Sequence, residues 1–232
     1  MREAIILAGG FGTRLRHVVS DVPKPMAPIN GRPFLEFLLD YLKDFAFEHV
    51  VLSTGYMHEK IESHFGNKYK GMTISYAKEE SPLGTGGGML NAVSCCKGDE
   101  MVVLNGDTMF RIDYNELLEF HHTKDCDLSV VLRQVVDTAR YGSVGIDERQ
   151  RICRFAEKSE SSGAGLINGG IYMIDRRLFD GFAVGEKFSF EKDLMERQVA
   201  QKEFFGYPSE AYFIDIGIPE DYYRFGEECE HI

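Results

Sequence analysis

Leu7-Ala8-Gly9-Gly10-Phe11-Gly12-Thr13-Arg14-Leu15 places three glycines within four residues directly behind an apolar run, followed by a threonine and an arginine. Glycines reach left-handed torsions and let backbone N–H groups approach an anion closely. The Arg14 guanidinium adds a permanent positive fork that matches phosphate geometry. The loop fits neither of two common phosphate-binding patterns. A dinucleotide fingerprint starting at Gly10 needs glycine where Leu15 stands, and no Gly-Lys-Ser/Thr sequence occurs anywhere in the chain. From Phe11 to Leu35 the basic residues Arg14, Arg16, Lys24 and Arg32 face a single acid, Asp21, in a chain whose formal charge is −11. Lys24 stands between Pro23 and Pro25, and Pro28 and Pro33 follow. Prolines pre-set the backbone, so this lysine is presented from a stiffened segment, as a group aimed at a fixed anion would be. An anion site explains these features better than a solvated loop.

Two acids stand where apolar strands end or pass. Asn105-Gly106-Asp107 closes an apolar run, and Asp215 lies between Ile214 and Ile216. Alone, Asp107 reads more often as a turn residue or helix cap. Asp215 is harder to dismiss, because a carboxylate among isoleucines is costly to bury without compensation. A second glycine-rich segment, Ser81-Pro82-Leu83-Gly84-Thr85-Gly86-Gly87-Gly88, follows Glu79 and Glu80; by itself it is a loop and cap beside two solvated acids. Glu157-Lys158 ends a strand-like run and is by itself an ordinary solvated charge pair. The glycines of Tyr141-Gly142 and Asn168-Gly169-Gly170 are explained almost as well by a strand bulge. His121-His122 reads as a solvated helix end and Cys95-Cys96 as packing.

The elements that would position these residues alternate in the first half. Strands are expected at Glu3–Ala8, Val50–Thr54, Met72–Tyr76 and Met101–Asn105, and helices at Phe34–Phe45, His58–Phe65, Gly88–Cys96 and Asp113–Thr123. Such βαβ repeats imply right-handed crossovers and an α/β, Rossmann-like, mostly parallel sheet flanked by helices, with ligands at the carboxyl edge of the strands. After about residue 125 the rhythm changes to strands at Leu128–Val136, Ser143–Ile146, Ile152–Ala156, Leu166–Ile174, Phe204–Tyr207 and Ala211–Ile216. Helices are expected at Glu191–Lys202, with Ser189 as cap, and at Pro219–Glu228. We read one domain over residues 1–232, with its second half forming a wall at the ligand edge.

Composition narrows the classes further. The chain has 232 residues, of which 44% are hydrophobic and 27% charged, which supplies a core and excludes a disordered or collagen-like chain. An acidic chain is a poor partner for nucleic acid. No apolar run approaches the roughly 18 residues of a membrane span, and Met1-Arg2-Glu3 does not open a signal peptide. Five cysteines without a C-x-x-C pair suit a reducing compartment, so a cytoplasmic protein is expected.

The stretch from Leu7 to Pro33, L-A-G-G-x-G-T-R-L followed by P-K-P-M-x-P-I-x-G-x-P, resembles the signature of the sugar-1-phosphate nucleotidyltransferases, and the motifs above extend that resemblance over essentially the whole chain. It implies a GT-A-like nucleotidyltransferase fold whose partners are a nucleoside triphosphate and a sugar 1-phosphate. By the same resemblance residues 1 to about 124 hold the nucleotide, through Leu7, Ala8, Gly9, Gly10, Gly12, Thr13, Glu79 and Gly84. Residues from about 125 to 232 hold the sugar phosphate, through Tyr141, Gly142, Glu157, Lys158, Asn168 and Gly169. Arg14 and Lys24 are the implied catalytic cations, and Asp107 and Asp215 the implied ligands of Mg²⁺, which takes oxygen donors and often only one or two carboxylates. At the Glu79 position the resemblance expects a side chain that reads the base. A carboxylate is acceptor-only and suits the adjacent N–H donors of guanine, so GTP is favoured, with Glu80 left open as the reader. GTP, UTP, dTTP or CTP with mannose or glucose 1-phosphate, and a non-catalytic regulatory homologue, remain alternatives; Leu15 argues against a dehydrogenase. Some members of the family carry a carboxy-terminal β-helix, for which the residues after Asp215 leave no room.

Overall fold

The computed structural model describes residues 1–10, 15, 17–139, 142–156 and 163–230. The first half opens with β1 (Arg2–Leu7), a small hairpin of β2 (Pro28–Ile29) and β3 (Arg32–Pro33), and α1 (Phe34–Asp44). It continues through β4 (Phe47–Thr54), α2 (His58–Phe65), β5 (Lys68–Tyr69), β6 (Met72–Lys78) and α3 (Gly84–Val93). Then come β7 (Glu100–Asn105), β8 (Thr108–Phe110) and α4 (Tyr114–Lys124), the last capped by the Asp113 side chain. The second half holds β9 (Leu128–Val135), β10 (Ser143–Ile146), β11 (Ile152–Ala156) and β12 (Gly165–Asp175). After a π-helical segment, Phe190–Glu196, come β13 (Phe204–Ser209), β14 (Phe213–Asp215) and α5 (Pro219–Glu228).

Among the described residues ten strands form one sheet in the order β11-β10-β12-β7-β1-β4-β6-β5, with β9 and β13 joined through β12. Its centre, β7-β1-β4-β6, is parallel, as the βαβ rhythm requires. Neighbouring residues on these strands face opposite sides. Ile6, Val50, Leu52 and Leu104 pack beneath α1, whose Leu35, Leu38 and Leu42 are buried. Ile5, Val51 and Val103 pack instead with Met89 and Val93 of α3 and with Phe190 and Leu194. Two buried faces explain why these strands read as continuous apolar runs rather than alternating ones.

The second half continues the same sheet. β12 pairs with β9 along both its parts; its later part also runs antiparallel to β7, while its first part meets β10. The two parts join at a bulge between Asn168 and Tyr172, where Gly170 takes a φ of +73°.

The short strands β2, β3, β5 and β8 are not expected from the sequence, and two elements and one side chain differ from what is expected. α3 starts at Gly84, not Gly88, because a carbonyl from a distant segment supplies the cap that its own glycines lack. The helix expected over Glu191–Lys202 is the wider-turned segment Phe190–Glu196, which keeps Phe190, Leu194 and Met195 buried; Ser189 does cap it, accepting from the Lys192 N–H. His121 is not solvated: it is 2% exposed and its Nδ1 lies 2.9 Å from Ser129 Oγ, whereas His122 is at the surface beside Glu100.

The far end of α3 is held equally firmly. Arg176 donates to the carbonyls of Val93, Cys96 and Gly98 at 3.1, 2.9 and 2.7 Å, placing a cation at the carboxyl end of α3 and tying down the turn that follows it. Below it, buried Glu3 accepts from the Lys97 and Gly98 N–H groups and lies 2.6 Å from His49 Nδ1. Burial pushes the Glu3 carboxyl up, but the bonds from His49, Gly98 and Lys97 outweigh it and hold the group below its ordinary range.

Candidate active site

β1, β4, β6 and β7 all point their carboxyl ends at one edge. Register pairs Leu7 with both Ser53 and Asn105, so the loops that follow must meet there. They enclose a cleft of about 370 Å³ lined by Leu7, Gly9, Gly10, Ser53, Glu79, Pro82, Gly84, Thr85, Gly88, Asn105, Asp107 and Glu191. Six of these were expected from the sequence: Leu7, Gly9, Gly10, Glu79, Gly84 and Asp107. The buried Ala8 fixes the start of the first glycine-rich loop by donating its N–H to Ser53 O at 2.8 Å.

Of the two adjacent acids, Glu79 faces the cleft and Glu80 is exposed. The Glu79 carboxylate is closely fitted between two glycine positions. A Cβ at Gly9 would lie 3.2 Å from its Oε1, and one at Gly88 only 2.6 Å away. Leu83 N–H donates to its Oε2 at 2.9 Å, and Ser53 Oγ approaches Oε1 at 3.4 Å. The acceptor is thereby presented in a defined place.

The start of α3 is built against the segment before Phe190. The Phe188 carbonyl accepts from the N–H groups of Gly86 and Gly87 at 3.1 and 3.3 Å, and the Phe188 N–H donates to Leu83 O at 3.0 Å. Thr85 Oγ1 donates to Glu191 Oε2 at 2.7 Å and accepts from the Phe190 N–H at 2.9 Å. Gly84 takes a φ of +76°, and a Cβ there would stand 2.6 Å from Phe188 O. We expect Gly84→Ala to destabilise the protein by about 1–3 kcal/mol, from the unfavourable torsion and the displaced carbonyl together. Thermal unfolding checks this: the midpoint should fall by several degrees, and an unchanged midpoint would show that the segment shifts freely.

Asp107 and Asp215 are brought together by a ladder the sequence did not reveal. β14 runs antiparallel to β8, opposing Asp215 to Thr108, and the Ile216 N–H donates to Asp107 O at 3.0 Å. Lys24 reaches both acids from the short 3₁₀ turn Lys24–Met26: its Nζ bonds Asp107 Oδ2 and lies 3.4 Å from Asp215 Oδ1. Asp215 also accepts from the Gly217 N–H at 2.8 Å. Burial, and then the neighbouring Asp107 charge, push the Asp215 carboxyl above its ordinary range, while Lys24 and the Gly217 N–H pull it down. No cluster of three or more His, Cys, Asp or Glu suited to a metal occurs among the described residues. The donor set here is two carboxylates beside an open cleft. That fits a hard divalent cation that completes its shell with water and a phosphate, and does not fit a closed protein cage.

The β12 bulge packs against Asn105, which lines the cleft, and against Phe110. A Cβ at Gly170 would lie 2.5 Å from Asn105 Nδ2, and one at Gly169 would lie 2.6 Å from the Phe110 ring. Asn168 uses its amide internally, accepting from the Gly170 N–H at 2.9 Å and donating to Tyr172 OH at 2.7 Å. Gly142 is buried with a φ of +81°, and its N–H donates to Thr138 O. Gly12, Thr13, Arg14, Tyr141, Glu157 and Lys158 lie outside the described residues. Sequence reasoning missed Ser53, Thr85, Asn105 and Glu191, isolated polar residues without a local motif. Only Asn105, at the end of an apolar strand, carried a usable signal.

A family model described as nucleotidyl transferase matches residues 3–231. The D-glycero-alpha-D-manno-heptose 1-phosphate guanylyltransferase of Aneurinibacillus thermoaerophilus is 46% identical over 229 residues, which is 99% of this chain and 99% of that protein. The protein of the same name from Campylobacter jejuni subsp. jejuni is 45% identical, over 96% of this chain and 98% of its own. The crystal structure of HddC from Yersinia pseudotuberculosis complexed with GMP-PN is similar with a TM-score of 0.86 at 37% identity, covering 99% of this chain and 100% of that one.

Proposed function

The chain belongs to the nucleotidyl transferase family, and from that premise we propose that it transfers GMP from GTP to D-glycero-α-D-manno-heptose 1-phosphate, giving GDP-heptose and pyrophosphate. The observation that carries this reading is one cleft lined by both the acceptor-only Glu79 and Asp107, with Lys24 joining Asp107 to Asp215 beside it. Near-full-length similarity to two heptose 1-phosphate guanylyltransferases supports the sugar. So does the spelling Arg16-His17-Val18-Val19-Ser20-Asp21-Val22-Pro23-Lys24-Pro25-Met26-Ala27-Pro28, which is most similar to that branch of the family.

A phosphate oxygen of the sugar 1-phosphate attacks the α-phosphorus of GTP in line, and the bond from the α-phosphorus to its bridging oxygen breaks. The electrons leave with pyrophosphate, so the enzyme contributes no nucleophile. Its work is to position the two anions and stabilise charge. Leu7, Ala8, Gly9, Gly10, Gly12 and Thr13 form the bed of the triphosphate, with Gly84 and Glu79 at the base. Glu79 accepts from the guanine N–H donors that uracil, thymine and cytosine do not offer side by side. Arg14 and Lys24 stabilise the charge that grows on pyrophosphate. Lys158 holds the attacking phosphate, while Glu157, Tyr141, Gly142, Asn168 and Gly169 surround the sugar. Asp107 and Asp215 would hold Mg²⁺, which when bound neutralises phosphate charge. No helix of the described residues is long and apolar enough to cross a membrane, and the reaction needs no membrane or nucleic-acid partner.

The test is pyrophosphate release with Mg²⁺, crossing four nucleoside triphosphates against D-glycero-α-D-manno-heptose 1-phosphate, mannose 1-phosphate and glucose 1-phosphate. Turnover should be confined to GTP with the heptose. Preference for another pair would discard the specificity and keep the chemistry. Folded protein that binds nucleotide yet turns over no pair would make a regulatory role the better reading.

A further inference from the structure

The ammonium of Lys24 occupies the place between two carboxylates that the proposed reading gives to a divalent cation. We propose that Lys24 is an internal counter-ion that keeps the Asp107–Asp215 pair closed to metal until a triphosphate draws the lysine away, so that metal and nucleotide enter the site together. This inference rests on the proposed assignment of the two aspartates.

The seat is built for the lysine tip. The side chains of Lys24, Asp215 and Asp107 are 11%, 19% and 33% exposed, so none of the three charges is fully solvated. A Cβ at Gly217 would stand 2.8 Å from both Lys24 Nζ and Asp215 Oδ1, so the glycine lets the ammonium and the carboxylate sit close to the backbone at this point. The lysine backbone is fixed by Pro23 and Pro25 and by turn bonds from Met26 N–H to Pro23 O and Ala27 N–H to Lys24 O. The side-chain torsions are therefore the part free to switch.

Two carboxylates held together in a partly desolvated place need a cation, and Lys24 supplies one in the absence of metal. A divalent cation there would satisfy the pair better, but it cannot share the seat with an ammonium that it repels. Displacing Lys24 alone would leave a half-buried positive charge without a partner, which is costly. The triphosphate removes that cost by offering the lysine new oxygens, and other oxygens of the same group can complete the metal's shell. Each ligand thus favours entry of the other, and the coupling is reciprocal.

Manganese serves as a magnetic probe of this interlock. Wild-type protein without nucleotide should take up Mn²⁺, followed by loss of the free-ion electron paramagnetic resonance signal, at least about tenfold more weakly than Lys24→Met. Adding Asp215→Asn to Lys24→Met should abolish the gain, and Lys24→Arg, which keeps the charge, should stay closed. An α,β-methylene analogue of GTP should bring Mn²⁺ onto the wild-type protein, distinguished from Mn²⁺ on free nucleotide by water-proton relaxation. Tight uptake by wild type alone would overturn the interlock and leave the metal assignment standing. Equal uptake by wild type and Lys24→Met would overturn it too. Absence of protein-bound Mn²⁺ even with the analogue would remove the aspartates as metal holders, and the interlock with them. Wild-type protein with and without the analogue reads the first and third of these outcomes unaided, so the proposal can still be overturned if a variant fails to fold.

Discussion

Asp107→Asn is expected to lower kcat by about 10²-fold or more, because it takes away one of two carboxylates proposed to hold a metal whose charge stabilisation is worth several kcal/mol. The substitution is nearly isosteric and keeps an oxygen in place, so the fold should be spared. The backbone carbonyl of Asp107, which accepts from the Ile216 N–H, is untouched. What changes is the charge facing Lys24 and Asp215. With one carboxylate gone, Lys24 and Asp215 form a neutral pair, and the attraction for a divalent cation falls. Initial rates over a Mg²⁺ titration read this directly: the variant should need far more metal and reach a lower plateau. A titration curve identical to wild type would remove Asp107 from the metal set.

Arg14→Ala should cost on the order of 10²-fold or more in kcat, by analogy with removal of other preorganised charge-stabilising donors. The residue follows Gly12-Thr13 in the first glycine-rich loop. The start of that loop, Gly9 and Gly10, lines the cleft together with Asp107, to which Lys24 is bonded. Negative charge grows on the leaving pyrophosphate as the bond to the α-phosphorus breaks, so a cation placed there is worth more in the transition state than in the substrate complex. Arg14→Lys should recover part of the loss only, since an ammonium is a point charge and not a two-pronged donor. Single-turnover rates at saturating GTP separate this effect from weaker binding. Undiminished turnover by the alanine variant would sink the assignment.

The parts of the site that were legible in the sequence are those built from local chemistry. The glycines behind the first apolar run pointed to a loop at the strand edge, where Gly9 and Gly10 line the cleft, and Lys24 between prolines pointed to a cation on a fixed turn. Glu79 and Gly84 came into view through the resemblance carried by Leu7–Pro33, and the structure brings both to the cleft. Ser53 and Thr85 were illegible because single polar residues at a strand end or in a glycine-rich stretch are common and carry no spacing. Glu191 was illegible for a different reason. Its link to Thr85 depends on how the segment after β12 folds back over α3, and no short window of sequence encodes that contact. The start of α3 escapes the sequence on the same ground: glycine has poor helix propensity, and the Phe188 carbonyl that compensates comes from far along the chain.

The order of residues alone settles the class of fold and points to the strand edge at which the candidate site residues gather. Apolar periodicity decides what is buried, and glycine, proline and charge decide what a loop can do. Which of those groups meet is a matter of packing in three dimensions. Asp107 and Asp215 face each other because β8 and β14 pair, Glu79 rather than Glu80 turns inward, and Lys24 closes on the two aspartates instead of pointing into an empty cleft. Periodicity fixes the face of an element but not its partner, and electrostatic pairing depends on distances that only packing sets.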